Sequence, residues 1–122
     1  MKIREIKFAR TVYAERQMAK MCPNNDIKEI GKMLKNPDFI KQTDSLFQIF
    51  DIMHRAYEMR QKFENPDYIP VEFTKEYFEC LTDEELEEMT NLAFERFEAD
   101  GRTEIETQKK SEEENNEMNE SI

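Results

Sequence analysis

The residues best able to do chemistry in this chain are two cysteines and one histidine. Cys22 lies in "KMCPNND", directly before Pro23, and the chain also contains Cys80 and His54. A catalytic cysteine needs a nearby base, usually histidine, and no third group is indicated that would orient such a pair. Zinc sites use Cys and His ligands, but these three side chains occur at no recognised ligand spacing. We therefore expect both cysteines to pack as small hydrophobic residues.

The acidic segment that starts at Glu98 is similar to the entry of a calcium-binding EF-hand loop. Counted from Glu98, position 5 is Arg102, position 6 is Thr103 and position 12 is Lys109. Calcium requires oxygen ligands at positions 5 and 12, and glycine at position 6 for the turn. Two cationic side chains at ligand positions would repel the ion, so we do not expect calcium binding.

Acidic residues also cluster at 83–88, in "DEELEE". Catalytic carboxylate pairs need contrasting environments that separate their pKa values, whereas carboxylates at the start of a helix complement its dipole. The second role is favoured here. The chain contains only two glycines, and no glycine-rich phosphate loop is present. The sequence thus predicts no catalytic, cofactor-binding or metal-binding residue, and a protein that is not an enzyme.

Charge is unevenly distributed along the chain. Residues 1–62 contain 13 basic and 8 acidic residues, whereas residues 63–122 contain 5 basic and 20 acidic residues. The basic residues are interleaved with acidic ones and the net charge is −10, so we do not expect nucleic-acid binding. Two readings stay open: the charges lie on solvated faces, or the oppositely charged halves attract other copies of the chain head to tail.

The composition favours helices and a small core. Apolar residues and charged residues each make up 38% of the chain, and there are only 2 glycines and 4 prolines, which argues against a turn-rich β-sandwich. The N-terminal "MKIREIKFAR" lacks the apolar run of a secretory leader, and no apolar stretch is long enough to span a membrane. Two free thiols indicate a reducing compartment.

The pattern of caps, breaks and apolar spacing predicts a small, mainly α bundle of about five helices. The predicted helices run from a cap at Thr11 to a stop at Pro23, over 27–34 after Asn25 or Asp26, from about 38 to 64, from Thr74 to near Cys80, and from a Thr82/Glu85 capping box to Gly101. Residues 2–9 allow a short N-terminal strand. In the helix over 38–64, Phe39 and Phe63 belong to the predicted apolar stripe. Residues 1–101 form the predicted helical domain, and residues 102–122 a disordered acidic tail.

Methionines are the best sequence candidates for a binding surface. Their flexible side chains adapt to varied partners. Five of the eight fall within the first three predicted helices, and not all of them can face one small core. We therefore take these as candidate partner-binding residues, with core packing as the equally weighted alternative: Met18, Met21, Met33, Met53 and Met59.

Residues 6 to 97 resemble the tail assembly chaperones of long-tailed bacteriophages and prophages of Gram-positive bacteria. The most specific parts of the resemblance are "KMCPNNDIKEIGKML" and the pattern from Tyr68 to Leu86, within "NPDYIPVEFTKEYFECLTDEELEEM". These segments are not catalytic motifs, and no position in them identifies a binding site.

The resemblance implies a non-enzymatic, mostly helical chaperone in the cytoplasm of the bacterial host. Such proteins coat the long tape measure protein, keep it soluble, associate with one another along it, and leave as tube subunits arrive. The implied partners are the tape measure protein and further copies of the chain, with the tail tube protein as a further candidate. The chain is not expected in the mature virion. An alternative function is a small acidic phage-encoded inhibitor that binds a host defence or regulatory protein.

Overall fold

In a computed structural model, the protein is described over residues 5–101, with the side chains of 99–101 left aside. This part of the chain is mainly α-helical, as the sequence predicted. Its α-helices are α1 (Val12–Lys20), α2 (Ile30–Met33), α3 (Phe39–Glu64), α4 (Lys75–Glu79) and α5 (Asp83–Gly101), with 3₁₀ turns at Pro23–Asn25 and Ile27–Glu29 between α1 and α2. The predicted tail, 102–122, and the cap of α5 beyond Gly101 lie outside the described residues.

The helix starts follow the predicted caps. Thr11 accepts a hydrogen bond from the Ala14 amide at 3.2 Å, and Thr74 caps α4 in the same way. At the start of α5, the Thr82 amide donates to Glu85 Oε1 at 3.0 Å and the Glu85 amide donates to Thr82 Oγ1 at 3.2 Å. This reciprocal pair satisfies two amides that have no partner within the helix.

The first helix ends before Pro23 and a new turn starts at Asp26, as the sequence predicted. Cys22 is extended, with φ −104° and ψ 155°, because a residue before proline is pushed out of the α region. Asn24 and Asn25 adopt positive φ values of 57° and 55°, a conformation that asparagine tolerates better than most residues. Asp26 then accepts from the Lys28 amide at 3.1 Å and begins the next turn.

The core lies where α3 packs against α1, α5 and two non-helical segments, one before α1 and one between α3 and α4. Apolar side chains from all these elements are buried in one cluster. Its members are Ile6, Phe8, Ala14, Met18, Cys22, Ile30, Leu46, Ile49, Phe50, Met53, Ala56, Phe73, Phe78, Met89 and Ala93. Aromatic rings fill much of the volume near α4, where Phe47 and Phe50 approach the Phe78 ring with centroids 5.3 and 6.0 Å apart. Such tilted arrangements add to the burial of apolar area.

The N-terminal segment is not a strand within residues 5–9, so the alternative of a short strand there was wrong. Ile6 and Phe8 are both buried in the core. The segment is held against a helix instead of a neighbouring strand, since the Ala9 amide donates to the Met53 carbonyl at 3.0 Å. Residues 1–4 lie outside the described part of the chain.

Helix α3 is longer than the core that it supports. Its 26 residues extend over about 39 Å. Phe39 in its first turn and Phe63 in its last turn were predicted to belong to the buried stripe, but they are 66% and 78% exposed. Val12, at the start of α1, is exposed as well, at 71%. The periodicity was right, but the ends of the helices project past the packed centre.

Arg10, in the segment before α1, contacts the C-terminal half of α5. Its guanidinium lies 3.8 Å from the centroid of the Phe97 ring, and its Nη1 donates to the Phe97 carbonyl at 3.1 Å. Its Nε also donates to Glu15 Oε2 at 2.9 Å.

Within residues 5–101, no helix is long and apolar enough to cross a bilayer.

Candidate partner-binding surface

The structure separates the five candidate methionines into core and surface residues. Met18 and Met53 are completely buried, so their assignment to a binding surface was wrong; they fill the centre of the bundle. Met21 and Met33 are half-buried and pack against the core. Only Met59 is well exposed among the five, at 51%. The five methionines therefore do not form one surface.

Large apolar side chains are instead exposed at the two ends of α3. Phe39 and Ile40 lie at its start, and Met59 and Phe63 lie at its end. Ile69, in the connection that follows α3, is 83% exposed. Single exposed apolar residues are common on protein surfaces, but a group of them beside a concave surface marks a candidate binding site.

A groove of about 590 Å³ lies beside the C-terminal half of α3, and we call it the α3 groove. It is formed by this helix, Tyr13 of α1 and the chain from Pro70 to Phe73. The lining residues are Tyr13, Asp51, His54, Arg55, Glu58, Met59, Lys62, Phe63, Pro70, Val71, Glu72 and Phe73. Its size falls within the range of ligand pockets, but its open, partly apolar surface also suits a protein segment.

Two buried polar side chains of α3 lie at the base of this groove. His54 is 2% exposed and Glu58, one helical turn later, is 6% exposed. His54 Nδ1 lies 2.8 Å from the Lys7 carbonyl oxygen, and Nε2 lies 2.8 Å from the Val71 carbonyl oxygen. Glu58 Oε1 accepts from the Val71 amide at 2.7 Å, and Oε2 lies 3.8 Å from His54 Nε2.

Tyr68 completes this polar cluster. Burial first, and then a hydrogen bond to Glu58, raise the pKa of the Tyr68 hydroxyl to about 12. The hydroxyl therefore stays protonated near neutral pH and donates to Glu58, which accepts from the Val71 amide at the same time. These contacts hold the connection after α3 against the helix.

Three charged side chains that line the groove have local partners. Arg55 Nε donates to Asp51 Oδ2 at 3.0 Å. Lys62 Nζ donates to the Tyr68 carbonyl at 3.2 Å. Most of the surface that lines the groove is apolar, so a partner would meet mainly apolar contacts there.

The geometry gives no support for cysteine catalysis. Cys22 is buried, and its thiol donates to the Met18 carbonyl at 3.4 Å. Burial, followed by the charges of Asp26 and Glu29, raises the pKa of this thiol, whereas a nucleophile needs a lowered one. Cys80 is exposed. Across residues 5–101, no group of three or more His, Cys, Asp or Glu side chains is placed to hold a metal ion.

Helix α5 presents a second distinctive surface, with carboxylates along its outer face. Glu84, Glu87, Glu88 and Glu95 are exposed and line a shallow depression together with Asn91 and Leu92. In the described residues, none of these four glutamates takes part in an ion pair. The acidic face spans about 16 Å from first to last glutamate.

Sequence reasoning missed the main features of the α3 groove. It placed Phe63 in the core and gave no role to Glu58, Tyr68 or Ile69. A hint was available in "NPDYIP", because two prolines in six residues predict an extended chain that must lie against some neighbour. The sequence does not specify which helix face that chain covers.

Comparison of the chain with protein-family models, curated proteins and solved structures finds no match in any of the three sets. The features that bear on function are therefore the groove, the surface charges and the resemblance in sequence pattern.

Proposed function

We propose that this protein is a non-enzymatic tail assembly chaperone of a long-tailed phage or prophage of Gram-positive bacteria. It binds the tape measure protein and keeps it soluble while the tail tube is assembled around it. It acts in the cytoplasm of the bacterial host and leaves before the virion is complete. The observation that carries the proposal is the α3 groove, with Met59, Phe63 and Ile69 exposed beside it.

A chaperone of this kind needs an apolar surface that a long helix can occupy reversibly. Met59 supplies a flexible contact, and Phe63 and Ile69 supply large apolar area. An amphipathic helix lays one apolar face into such a groove by placing anchors three or four residues apart. The charged residues that line the groove are of both signs, so this surface has no strong net charge, which suits a partner recognised by shape and apolar pattern.

Self-association is the second part of the proposal. The basic first part of the chain and the exposed acidic face of α5 supply opposite charges for contacts between neighbouring copies on one tape measure protein. Contacts of this type are weak and reversible, as a protein that must leave during assembly requires.

Substitutions in the groove test the proposal. The double variant Met59→Ser/Phe63→Ser should lose most of its affinity for a helical segment of the tape measure protein, measured by calorimetry or a pull-down assay. The matched control is Phe39→Ser/Ile40→Ser, which removes a similar exposed apolar area at the opposite end of the same helix. Equal binding by wild type and the groove variant would count against the α3 groove as the binding site.

The alternative function, an acidic inhibitor of a host defence or regulatory protein, is favoured by one observation. The unpaired carboxylates of α5 lie along an ordered helix face, as a mimic of nucleic acid requires. Replacing the four glutamates Glu84, Glu87, Glu88 and Glu95 by glutamine should abolish such inhibition. The same variant should still bind a tape measure segment through the α3 groove.

A further inference from the structure

The connection after α3 runs back along the helix in the opposite direction. The Tyr68 carbonyl accepts a hydrogen bond from Lys62 Nζ at 3.2 Å. Further along the connection, the Val71 carbonyl lies 2.8 Å from His54 Nε2, and the Phe73 ring packs edge-on to the His54 ring with centroids 6.2 Å apart. The α3 groove lies between these two stretches of chain, so it has one end level with Lys62 and another level with His54.

Lys62 gives the first end of the groove a positive charge that no carboxylate neutralises. Its Nζ donates to the Tyr68 carbonyl, which is uncharged and occupies only one of the three donors of an ammonium group. The side chain is exposed, and in the part of the chain that the structure describes it forms no ion pair. The neighbouring Glu64 is paired with Arg60 instead, at 2.9 Å. The ammonium group is therefore available to an acidic side chain of a partner.

Glu72 gives the second end of the groove a negative charge. It lines the groove directly after Val71, whose carbonyl contacts His54. The side chain is exposed, and within residues 5–98 it forms neither an ion pair nor a hydrogen bond. The other two charged residues at this end, Arg55 and Asp51, are paired with each other at 3.0 Å. Their charges cancel, so Glu72 sets the sign of the charge that a partner meets here.

The separation of the two charges matches the repeat of a helix. Lys62 follows His54 by eight residues on α3, which corresponds to about 12 Å along the helix axis. In a partner helix that lies along the groove, residues about seven or eight positions apart are two turns apart and lie on the same face. One helix can therefore meet both charges at once, while the apolar residues between them face Met59.

We propose that the α3 groove selects helical segments by charge as well as by apolar pattern, through Lys62 and Glu72. The favoured segment of the tape measure protein carries an acidic and a basic residue about seven or eight positions apart, on either side of its apolar anchors. The acidic residue faces Lys62 and the basic residue faces Glu72. A segment with two like charges places one of them against a charge of the same sign and binds more weakly. The selection presupposes the proposed function, because it describes the partner of the same groove.

Three synthetic peptides that differ in only two residues test the selection. Each is an amphipathic helix with leucines three or four residues apart, flanked by two positions about eight residues apart that hold Lys and Glu, two Lys or two Glu. Calorimetry at low salt should give the mixed peptide an affinity about 1.5- to 5-fold above that of the other two, the range expected of exposed ion pairs. High salt should reduce this advantage. Equal affinities at low salt would overturn the selection by charge.

Single charge reversals should change which peptide binds best, an effect that damage to the fold does not produce. Lys62→Glu makes both ends of the groove acidic, so the peptide with two lysines should become the tightest binder. Glu72→Lys should favour the peptide with two glutamates instead. Lys35→Glu and Glu79→Lys are the matched controls, because they reverse exposed charges outside the groove and should keep the wild-type order. The wild-type order in both groove variants would contradict the selection.

The variant Met59→Ser/Phe63→Ser separates a failure of the selection from a failure of the proposed function. If wild type binds the three peptides equally and this variant loses all three, the groove holds as the binding site and only the selection is overturned. If the variant binds the peptides as tightly as wild type, they bind elsewhere, and the groove and the selection are both overturned. The same conclusion follows if wild type binds none of the peptides.

Discussion

At the residue scale, the methionines show that the position of a side chain on its helix, and not its residue type, decides whether it is buried. Met53 and Met59 lie six residues apart on α3, yet one is fully buried and the other is 51% exposed. A six-residue separation rotates a side chain by about 600°, which moves it to a different face of the helix. The same residue type therefore serves the core in one case and the groove in the other.

This difference predicts that alanine substitution destabilises the protein much more at Met53 than at Met59. Met53→Ala should lower the free energy of unfolding by about 2–5 kcal/mol, because it removes buried atoms and leaves a cavity. Met59→Ala should change it by less than about 0.5 kcal/mol. Urea denaturation followed by circular dichroism measures both. Similar losses for the two variants would show that Met59 belongs to the core.

Tyr68 predicts a specific loss of stability at alkaline pH. Its pKa is raised to about 12 in the folded protein, chiefly by burial and then by Glu58, whereas an unfolded tyrosine ionises near pH ~10. Because the pKa is higher in the folded protein, the protonated hydroxyl adds fully to the free energy of unfolding at any pH below the pKa of the unfolded state. This contribution is lost as the pH rises towards the pKa of the folded state.

The measurement compares wild type with Tyr68→Phe. Wild type should be more stable at pH 9, and the difference should shrink between about pH 10 and 12, which separate the unfolded from the folded pKa. Denaturant midpoints at several pH values within this window follow the difference. A difference that is constant with pH would mean that the hydroxyl makes no proton-linked contribution.

At the scale of elements, most of the fold could be predicted because caps and breaks are local. Thr11, Thr74 and the Thr82/Glu85 pair begin helices where the sequence indicated, since each cap needs only a side chain and an amide within three residues. The long α3 was predicted within a residue or so at each end from its apolar spacing and its two flanking "NPD" sequences.

The groove could not be predicted because it depends on contacts between distant segments. The part of the groove from Pro70 to Phe73 is held by His54 and Glu58 through backbone atoms of Val71, 17 and 13 residues away. A backbone carbonyl carries no residue-specific signal, so nothing in the sequence assigns a partner to the histidine. The exposure of the two ends of α3 could not be predicted for a related reason. Periodicity shows which face of a helix is apolar, but not how far the core extends along it.

The capping box at the start of α5 should make a measurable contribution of its own. Thr82→Ala removes the acceptor for the Glu85 amide and should destabilise the protein by about 1 kcal/mol. Glu87→Gln, an exposed change in the next turn, should stay within about 0.5 kcal/mol of wild type. Thermal unfolding compares the three proteins, and an unchanged midpoint for Thr82→Ala would refute the contribution of the cap.

At the scale of the whole molecule, the proposed association between copies depends on the separation of charge along the chain. The first 62 residues carry a net positive charge and the rest a net negative one. Contacts between such regions are screened over about 10 Å at 0.1 M salt. We therefore expect light scattering to show larger particles at low salt than at high salt. A mass that is the same at both salt concentrations would remove charge as the cause of self-association.

Under the proposed function, the protein keeps a tape measure protein soluble through its apolar groove. Its most direct test is co-expression with the tape measure protein of the same phage or prophage, followed by centrifugation of the lysate. Wild type should move the tape measure protein into the soluble fraction, and Met59→Ser/Phe63→Ser should not. A tape measure protein that stays insoluble with wild type, or is equally soluble without it, would contradict the claim.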